Sequence, residues 1–283
     1  MPLYCLTRLM AGLLVIGAVL APITARAGGS AITVTPVTLQ LAPGQRAGIL
    51  TLTNQGAQPA AFQIRAYAWD QAEGIDRLTP STALVVSPPL GSIAPGVPQT
   101  VRLVLKETPR DREASYRILI DQIPPSAEPG VVGFALRLSL PIFVGPPVRI
   151  APQIRWSIVM AQTEDTKADL VAENTGGQHA KILEAVLITP DGATQHIDAV
   201  GQSPYVLAQS IRRWPIPDPG RVANAHGGVQ LKGRSDAGAI DQVVTSRAPP
   251  GPVRAAVGLD PRPVVDAGQP APSRQRSQST GRV

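Results

Sequence analysis

Val132-Gly133-Phe134-Ala135-Leu136-Arg137-Leu138-Ser139-Leu140-Pro141-Ile142-Phe143-Val144 is the stretch that decides the fold. Its alternate positions, Val132, Phe134, Leu136, Leu138, Leu140, Ile142 and Val144, carry large apolar side chains, while Ala135, Arg137, Ser139, Pro141 and Phe143 fall between them. A period of two is the signature of a β-strand with one buried face. A strand of about 13 residues is well beyond the usual five or six, and so long an apolar row exceeds what a sandwich of about 100 residues covers with its own chain. Part of the row is therefore expected to serve another protein.

The same period recurs on the N-terminal side in shorter bursts: Ile32 and Val34, Leu39 and Leu41, Ile49 to Asn54, and Phe62, Ile64 and Ala66. Two further strands are expected over Gln99 to Lys106 and Ser115 to Gln122. Ala42-Pro43-Gly44-Gln45, Asn54-Gln55-Gly56, Glu73-Gly74, Ser87-Pro88-Pro89 and Ala94-Pro95-Gly96 supply turns at the spacing of a β-sandwich. Beyond Pro146-Pro147 a second round of strands is expected at Gln153 to Ala161, Lys167 to Asn174, Ala180 to Ile188, Gln195 to Val200 and Val229 to Leu231. With 26 glycines and 30 prolines in 283 residues, long helices are disfavoured and many short strands favoured. The fold class that follows is all-β, with two sandwich domains at 28–146 and 147–245.

The ends read differently. Residues 1–27 place Arg8 before an apolar stretch, Leu13 to Leu20, and close on Ala25-Arg26-Ala27, the pattern of a signal peptide cut after Ala27. The apolar stretch is shorter than the roughly 20 residues of a spanning helix, so no membrane anchor is expected after cleavage. The only cysteine, Cys5, leaves with the signal, which excludes a disulfide and a thiolate metal site. Residues 246–283 hold seven prolines, six arginines and no Phe, Tyr or Trp, and are expected to be disordered. The net charge of +6 sits at these ends, because residues 28–245 carry 18 basic and 18 acidic side chains. The body thus lacks the basic surface a nucleic-acid binder needs.

Catalytic signals are missing from the pattern. His179, His196 and His226 stand apart in turns or at strand edges and read as exposed loop histidines, with no ligand spacing between them. No G-x-S-x-G, G-x-G-x-x-G or phosphate-binding loop occurs, and Asp111 and Glu113 beside Arg110 and Arg112 read as an exposed ion-pair patch. The expected class is not an enzyme, with no cofactor and no metal. Trp69, Trp156 and Trp214 read as core packing. Arg102 and Arg117 each interrupt an apolar strand. They fit a solvated sheet face, and they also fit a carboxylate clamp between two domains.

Taken in order, several pieces resemble the periplasmic chaperones of chaperone–usher pili: Thr35-Pro36 to Leu41 with Pro43-Gly44, Leu50 to Asn54, Trp69 before an acidic turn, and Ser87-Pro88-Pro89. Pro95-Gly96 before Val101-Arg102-Leu103, Asp111-Arg112-Glu113 leading to Tyr116-Arg117, Ile123-Pro124-Pro125, and Leu140-Pro141-Ile142-Phe143-Val144 continue the match over 32–150. Asn174, Gly192, Trp214-Pro215 and Ser235 to Gly238 extend it to about 245. The sequence looks most like the archaic, spore-coat-like branch.

The resemblance implies two immunoglobulin-like sandwiches in a boomerang, a periplasmic location, and pilin subunits and an outer-membrane usher as partners. It also implies that residues 132–144 are lent to a pilin lacking one strand, with Val132, Phe134, Leu136, Leu138, Leu140 and Ile142 as the donor row. Family members hold the subunit's terminal carboxylate with an arginine on the first strand and a lysine on the last strand of domain one. Those positions are Thr38 and Pro141 here, so Arg117 and Arg102 are expected to replace them. The competing reading is an exported β-sandwich adhesion or carbohydrate-binding module, which calls for exposed aromatics or loop Asp clusters that are scarce in this chain.

Overall fold

Side-chain alternation builds the first core directly. On one strand Val101, Leu103 and Leu105 are wholly buried while Arg102 and Val104 between them face solvent. The computed structural model describes residues 32–124, 135–160, 167–225 and 228–247. Residues 1–27, expected as a signal peptide, and the tail beyond Arg247 lie outside them, as do Val132, Phe134 and His226.

Ten strands form the first pair of sheets: β1 (Ile32–Thr35), β2 (Leu39–Leu41), β3 (Ala47–Asn54), β4 (Ala60–Ala72), β5 (Ile75–Pro80), β6 (Leu84–Ser87), β7 (Leu90–Ile93), β8 (Pro98–Leu105), β9 (Ala114–Ile123) and β10 (Arg137–Val144). One sheet runs β1-β3-β8-β6 and the other β2-β10-β9-β4-β5, with β7 also paired to β4. Leu50, Leu52, Phe62, Ile64, Ile118, Ile120, Ile142 and Val144 meet between them.

Nine strands and two short helices follow: β11 (Ile154–Met160), β12 (Ala168–Asn174), β13 (Ala180–Ile188), β14 (Thr194–His196), α1 (Ala199–Gln202), β15 (Tyr205–Val206), β16 (Ser210–Pro215), α2 (Pro219–Ala223), β17 (Val229–Ser235), β18 (Gly238–Val244) and β19 (Ser246–Arg247). They make sheets β16-β12-β11-β19 and β14-β13-β17-β18, with β15 on β13, around a core centred on Trp214, Leu170, Leu187 and Leu231. The molecule is thus all-β, two immunoglobulin-like sandwiches with separate cores.

A repeated device closes both. Asn54-Gln55-Gly56-Ala57-Gln58 and Asn174-Thr175-Gly176-Gly177-Gln178 share an N-x-G-x-Q pattern. Each asparagine is buried; its Oδ1 accepts the N–H of the glycine two residues on, and its Nδ2 donates to the carbonyl of Gln58 or Gln178. The side chain thereby imitates a turn and leaves no buried polar atom unpaired.

Three local expectations are corrected. The strand expected over Gln195 to Val200 ends at His196, because Asp198 Oδ1 accepts the Gly201 N–H and caps α1. Ser246 and Arg247, placed in the disordered tail by composition, pair in parallel with Ile158 and Val159. The long strand is observed from Arg137, and Ala135 and Leu136 precede it without strand geometry.

Candidate functional site

Trp69 and Phe143 point out of the first sandwich, on the face of β4 and β10 opposite the core, yet both are buried. Their cover comes from the second sandwich, where Tyr205 and Leu207 complete a four-residue cluster. Ring centroids lie 5.9 Å apart for Trp69–Phe143, 5.5 Å for Trp69–Tyr205 and 5.4 Å for Phe143–Tyr205. Trp69 is thus buried as expected, but in the junction between sandwiches.

Polar contacts rim this cluster. Gln71 reads the β15 backbone like another strand: its Nε2 donates to the Tyr205 carbonyl at 2.8 Å and its Oε1 accepts the Leu207 N–H at 3.0 Å. The buried Arg212 donates to the Gly74 carbonyl at 3.3 Å and pairs with Asp76 at 3.5 Å, so the β4–β5 turn is tied to β16. Glu113 and His179 make the other tie. Glu113 Oε1 accepts the His179 main-chain N–H at 3.1 Å and lies 2.6 Å from His179 Nδ1. The Glu113 N–H donates to the Gly177 carbonyl at 2.9 Å, and the His179 ring stacks 3.5 Å from Phe143.

Both members of that tie overturn expectations from sequence. Glu113 is buried, with His179 against its Oε1 and no partner at its Oε2 among the described residues, and His179 is held in the junction rather than exposed on a loop. Asp111, Arg110 and Arg112 remain exposed.

Arg117 sits over the rings, with Cζ 3.8 Å from the Trp69 centroid and 5.6 Å from that of Tyr205. Burial pulls its pKa below the ordinary arginine value, partly offset by Asp76 and Tyr205. Among the described residues it makes no ion pair and no hydrogen bond, which leaves a half-buried guanidinium ready for an anion. Arg102 does not join it. It lies on β8 of the other sheet, exposed between Ile49 and Ser87, because alternation turns it to solvent when Val101 and Leu103 enter the core. The two arginines expected to act together occupy different sheets, and the pairing of Arg102 with Arg117 is withdrawn.

The backbone of β10 runs beside Arg117. Pro141 is its direct cross-strand partner. The Gln122 N–H donates to the Leu136 carbonyl at 2.9 Å, which fixes the ladder's phase: Leu136, Leu138 and Leu140 turn their main-chain groups to β9. Arg137, Ser139 and Pro141 turn theirs the other way, as does Gly145, whose N–H donates to Leu41. On that side β2 pairs only with Ile142 to Val144. Among the described residues Arg137–Pro141 is therefore a free sheet edge, and proline stands where its missing N–H breaks no ladder bond of the chain itself.

The apolar row divides along the same strand. Leu136 is 42% exposed and Leu138 half-buried, whereas Leu140 and Ile142 are 4% and 0% exposed in the chain's own core. Leu140 and Ile142, expected as donor residues, are thus committed internally, because β10 enters the sandwich fully where β2 joins it. At the opposite margin of the face, Asp121 bridges Arg65, 2.6 Å away, and Arg137. Burial works to raise the Asp121 carboxyl, but hydrogen bonds from Arg137 and Arg65 and their charges outweigh it and hold it below the ordinary value.

No group of three or more His, Cys, Asp or Glu among the described residues is placed to hold a metal ion, and no described helix is long and apolar enough to cross a membrane.

Residues 31–148 match the model of the pili and flagellar-assembly chaperones, PapD N-terminal domain. In fold, the chain is similar to the chaperone in a chaperone–tip adhesion subunit pre-assembly complex from archaic Csu pili of Acinetobacter baumannii. That likeness has a TM-score of 0.57 and 20% identity, over 78% of this chain and 100% of that one. Similar likenesses reach a Salmonella enterica structure of the SafA pilin with the SafB chaperone (TM-score 0.53, 18% identity, 76% and 97% covered) and the E. coli chaperone DraB (0.51, 20%, 76% and 99%). No curated protein matches the sequence.

Proposed function

We propose, for a chain whose residues 31–148 match the model of the pili and flagellar-assembly chaperones, that it captures fimbrial subunits in the periplasm by lending them the free edge of β10 and then hands them to an outer-membrane usher. A subunit short of one strand exposes an apolar groove and unpaired edges and aggregates. The edge at Arg137–Pro141 offers it main-chain partners, and Leu136 and Leu138, with Val132 and Phe134 beyond the described residues, fill the groove. Arg117 receives the subunit's terminal carboxylate. The observation that carries this reading is that the free edge runs out beside Arg117, a cation that makes no ion pair among the described residues.

Binding alone drives this work, and no step in it forms or breaks a covalent bond. The test is co-expression with a fimbrial subunit in a periplasm, followed by purification through the chaperone. A one-to-one complex and a subunit protected from proteolysis are expected. A subunit equally abundant without the chaperone, and absent from the purified fraction, would overturn the reading.

A further inference from the structure

At its end away from Pro141, the free edge of β10 begins in a cluster of charge. Asp121 is the direct cross-strand partner of Arg137 and is held between two guanidinium groups: Arg137 Nε donates to its Oδ1, and Arg65 Nη2 donates to its Oδ2 at 2.6 Å. Alternation sets all three on the outward face of the sheet, since Ile64, Ile120 and Leu138, next to them in the chain, turn to the first core. Gln63, Leu119 and Ser139, which stand beside them on that face, bring no charge. Two cations therefore share one anion, and one positive charge is in excess. The aspartate is covered, with 17% of its side chain exposed, whereas Arg137 keeps 63%. The excess is thus presented through Arg137, on the strand that carries the free edge.

We infer that Arg137 reads the charge of a visiting strand, favouring an acidic side chain at the position that comes level with it. This rests on the proposed capture of subunit strands, but not on the Arg117 anchor. A strand added to the edge puts one residue level with Arg137, and side chains level with each other on neighbouring strands share a face about 5 Å apart. Alternate residues of the visitor turn the same way as Leu136, toward the apolar groove, so the acidic residue takes one of the outward positions that remain. An aspartate or glutamate there balances two cations with two anions, whereas a lysine sets three cations against one. Because Arg137 is exposed and its pairs are screened, charge placed this way selects among partners more than it adds affinity.

The experiment uses the whole protein and amide-ended peptides of one alternating sequence, apolar at every second position with asparagine between, a single asparagine being replaced in turn by aspartate or by lysine. At one position only, aspartate should bind about threefold more tightly than asparagine, and lysine more weakly. The difference should fade in about 1 M salt, where the screening length falls to about 3 Å. Arg137→Gln should abolish the preference. Asp121→Asn should widen it by removing the competing carboxylate, the opposite of what a bridge that merely holds the strands together would do. Thermal melts confirm that both variants are folded. A preference that survives Arg137→Gln, or that Asp121→Asn leaves alone or weakens, overturns the inference. So does binding of the asparagine peptide with no effect of charge at any position, and in each of these cases the capture reading stands. Failure of every peptide to bind would instead strike the capture reading, and the inference with it.

Discussion

Arg117 and Pro141 face each other across β9 and β10, so a guanidinium with no ion pair among the described residues stands level with the residue at which the free edge loses its last N–H donor. In the proposed capture a visiting strand would pair with Arg137 and Ser139, lose a donor at Pro141 and meet the Arg117 charge there, so that edge and anchor would form one device on adjacent strands.

Arg117→Gln should leave folding intact and weaken subunit capture by at least about tenfold, since the lost interaction is charge-assisted and partly buried. Titration of the purified variant against a subunit beside a thermal melt checks this. Normal capture by a folded variant would move the anchor elsewhere.

The divided apolar row gives opposite outcomes for similar substitutions. Leu136→Asp should yield a soluble, cooperatively melting protein that protects subunits poorly, because the leucine is worth about 2 kcal/mol in the groove it fills and a carboxylate there costs more, whereas Leu138 packs against the first core. Ile142→Asp should unfold the first sandwich, since that side chain is wholly buried in its own core. Circular dichroism and a proteolysis assay distinguish the two.

Edge phase predicts a contrast between neighbours. Ser139→Pro removes an N–H that faces away from β9, so the fold should survive while capture weakens. Leu138→Pro deletes a ladder bond to β9 and should lower the melting temperature markedly. Equal destabilisation by both would contradict the phase.

The junction should be separable from the cores. Trp69→Ala empties the centre of the aromatic cluster at a cost of about 3 to 5 kcal/mol and removes the ring beneath Arg117. Calorimetry should resolve two weaker transitions in place of one, with capture reduced. An unchanged single transition would show that the sandwiches are not coupled through Trp69.

Acid should act on Asp121. Its folded pKa is held below the ordinary carboxylate value of about 3.9, so its contribution is complete above that value and is lost as pH falls through the folded pKa. Asp121→Asn should therefore lower the melting temperature at pH 7, with the difference from wild type shrinking below about pH 4. A constant difference across that range would remove Asp121 as the source.

Much of the fold was legible because it depends on alternation. Val101, Leu103 and Leu105 against Arg102, or Gly48, Leu50, Leu52 and Asn54 on β3, can be assigned from period two alone. The N-x-G-x-Q repeat stands in the sequence but goes unread there, because the burial of its two asparagines, which gives it meaning, shows only in the fold. The candidate site was legible only in part. Alternation shows that Arg117 and Arg102 both leave their cores, but not that the second sandwich covers one of these outward faces and leaves the other in water. Glu113 and His179 lie 66 residues apart and carry no local sign of partnership, so only their tertiary approach buries them. Gln71 and Lys181 escaped for the same reason: their significance comes from β15, a strand of two residues too short for any pattern.

The most direct measurement is amide hydrogen exchange at Arg137 and Ser139, the two main-chain donors on the free edge, with and without a bound fimbrial subunit. Both amides should exchange quickly in the free protein and become strongly protected in the complex, while Leu138 and Leu140, already bonded to β9, stay protected in both. A stable complex in which Arg137 and Ser139 still exchange at the free rate would contradict edge donation.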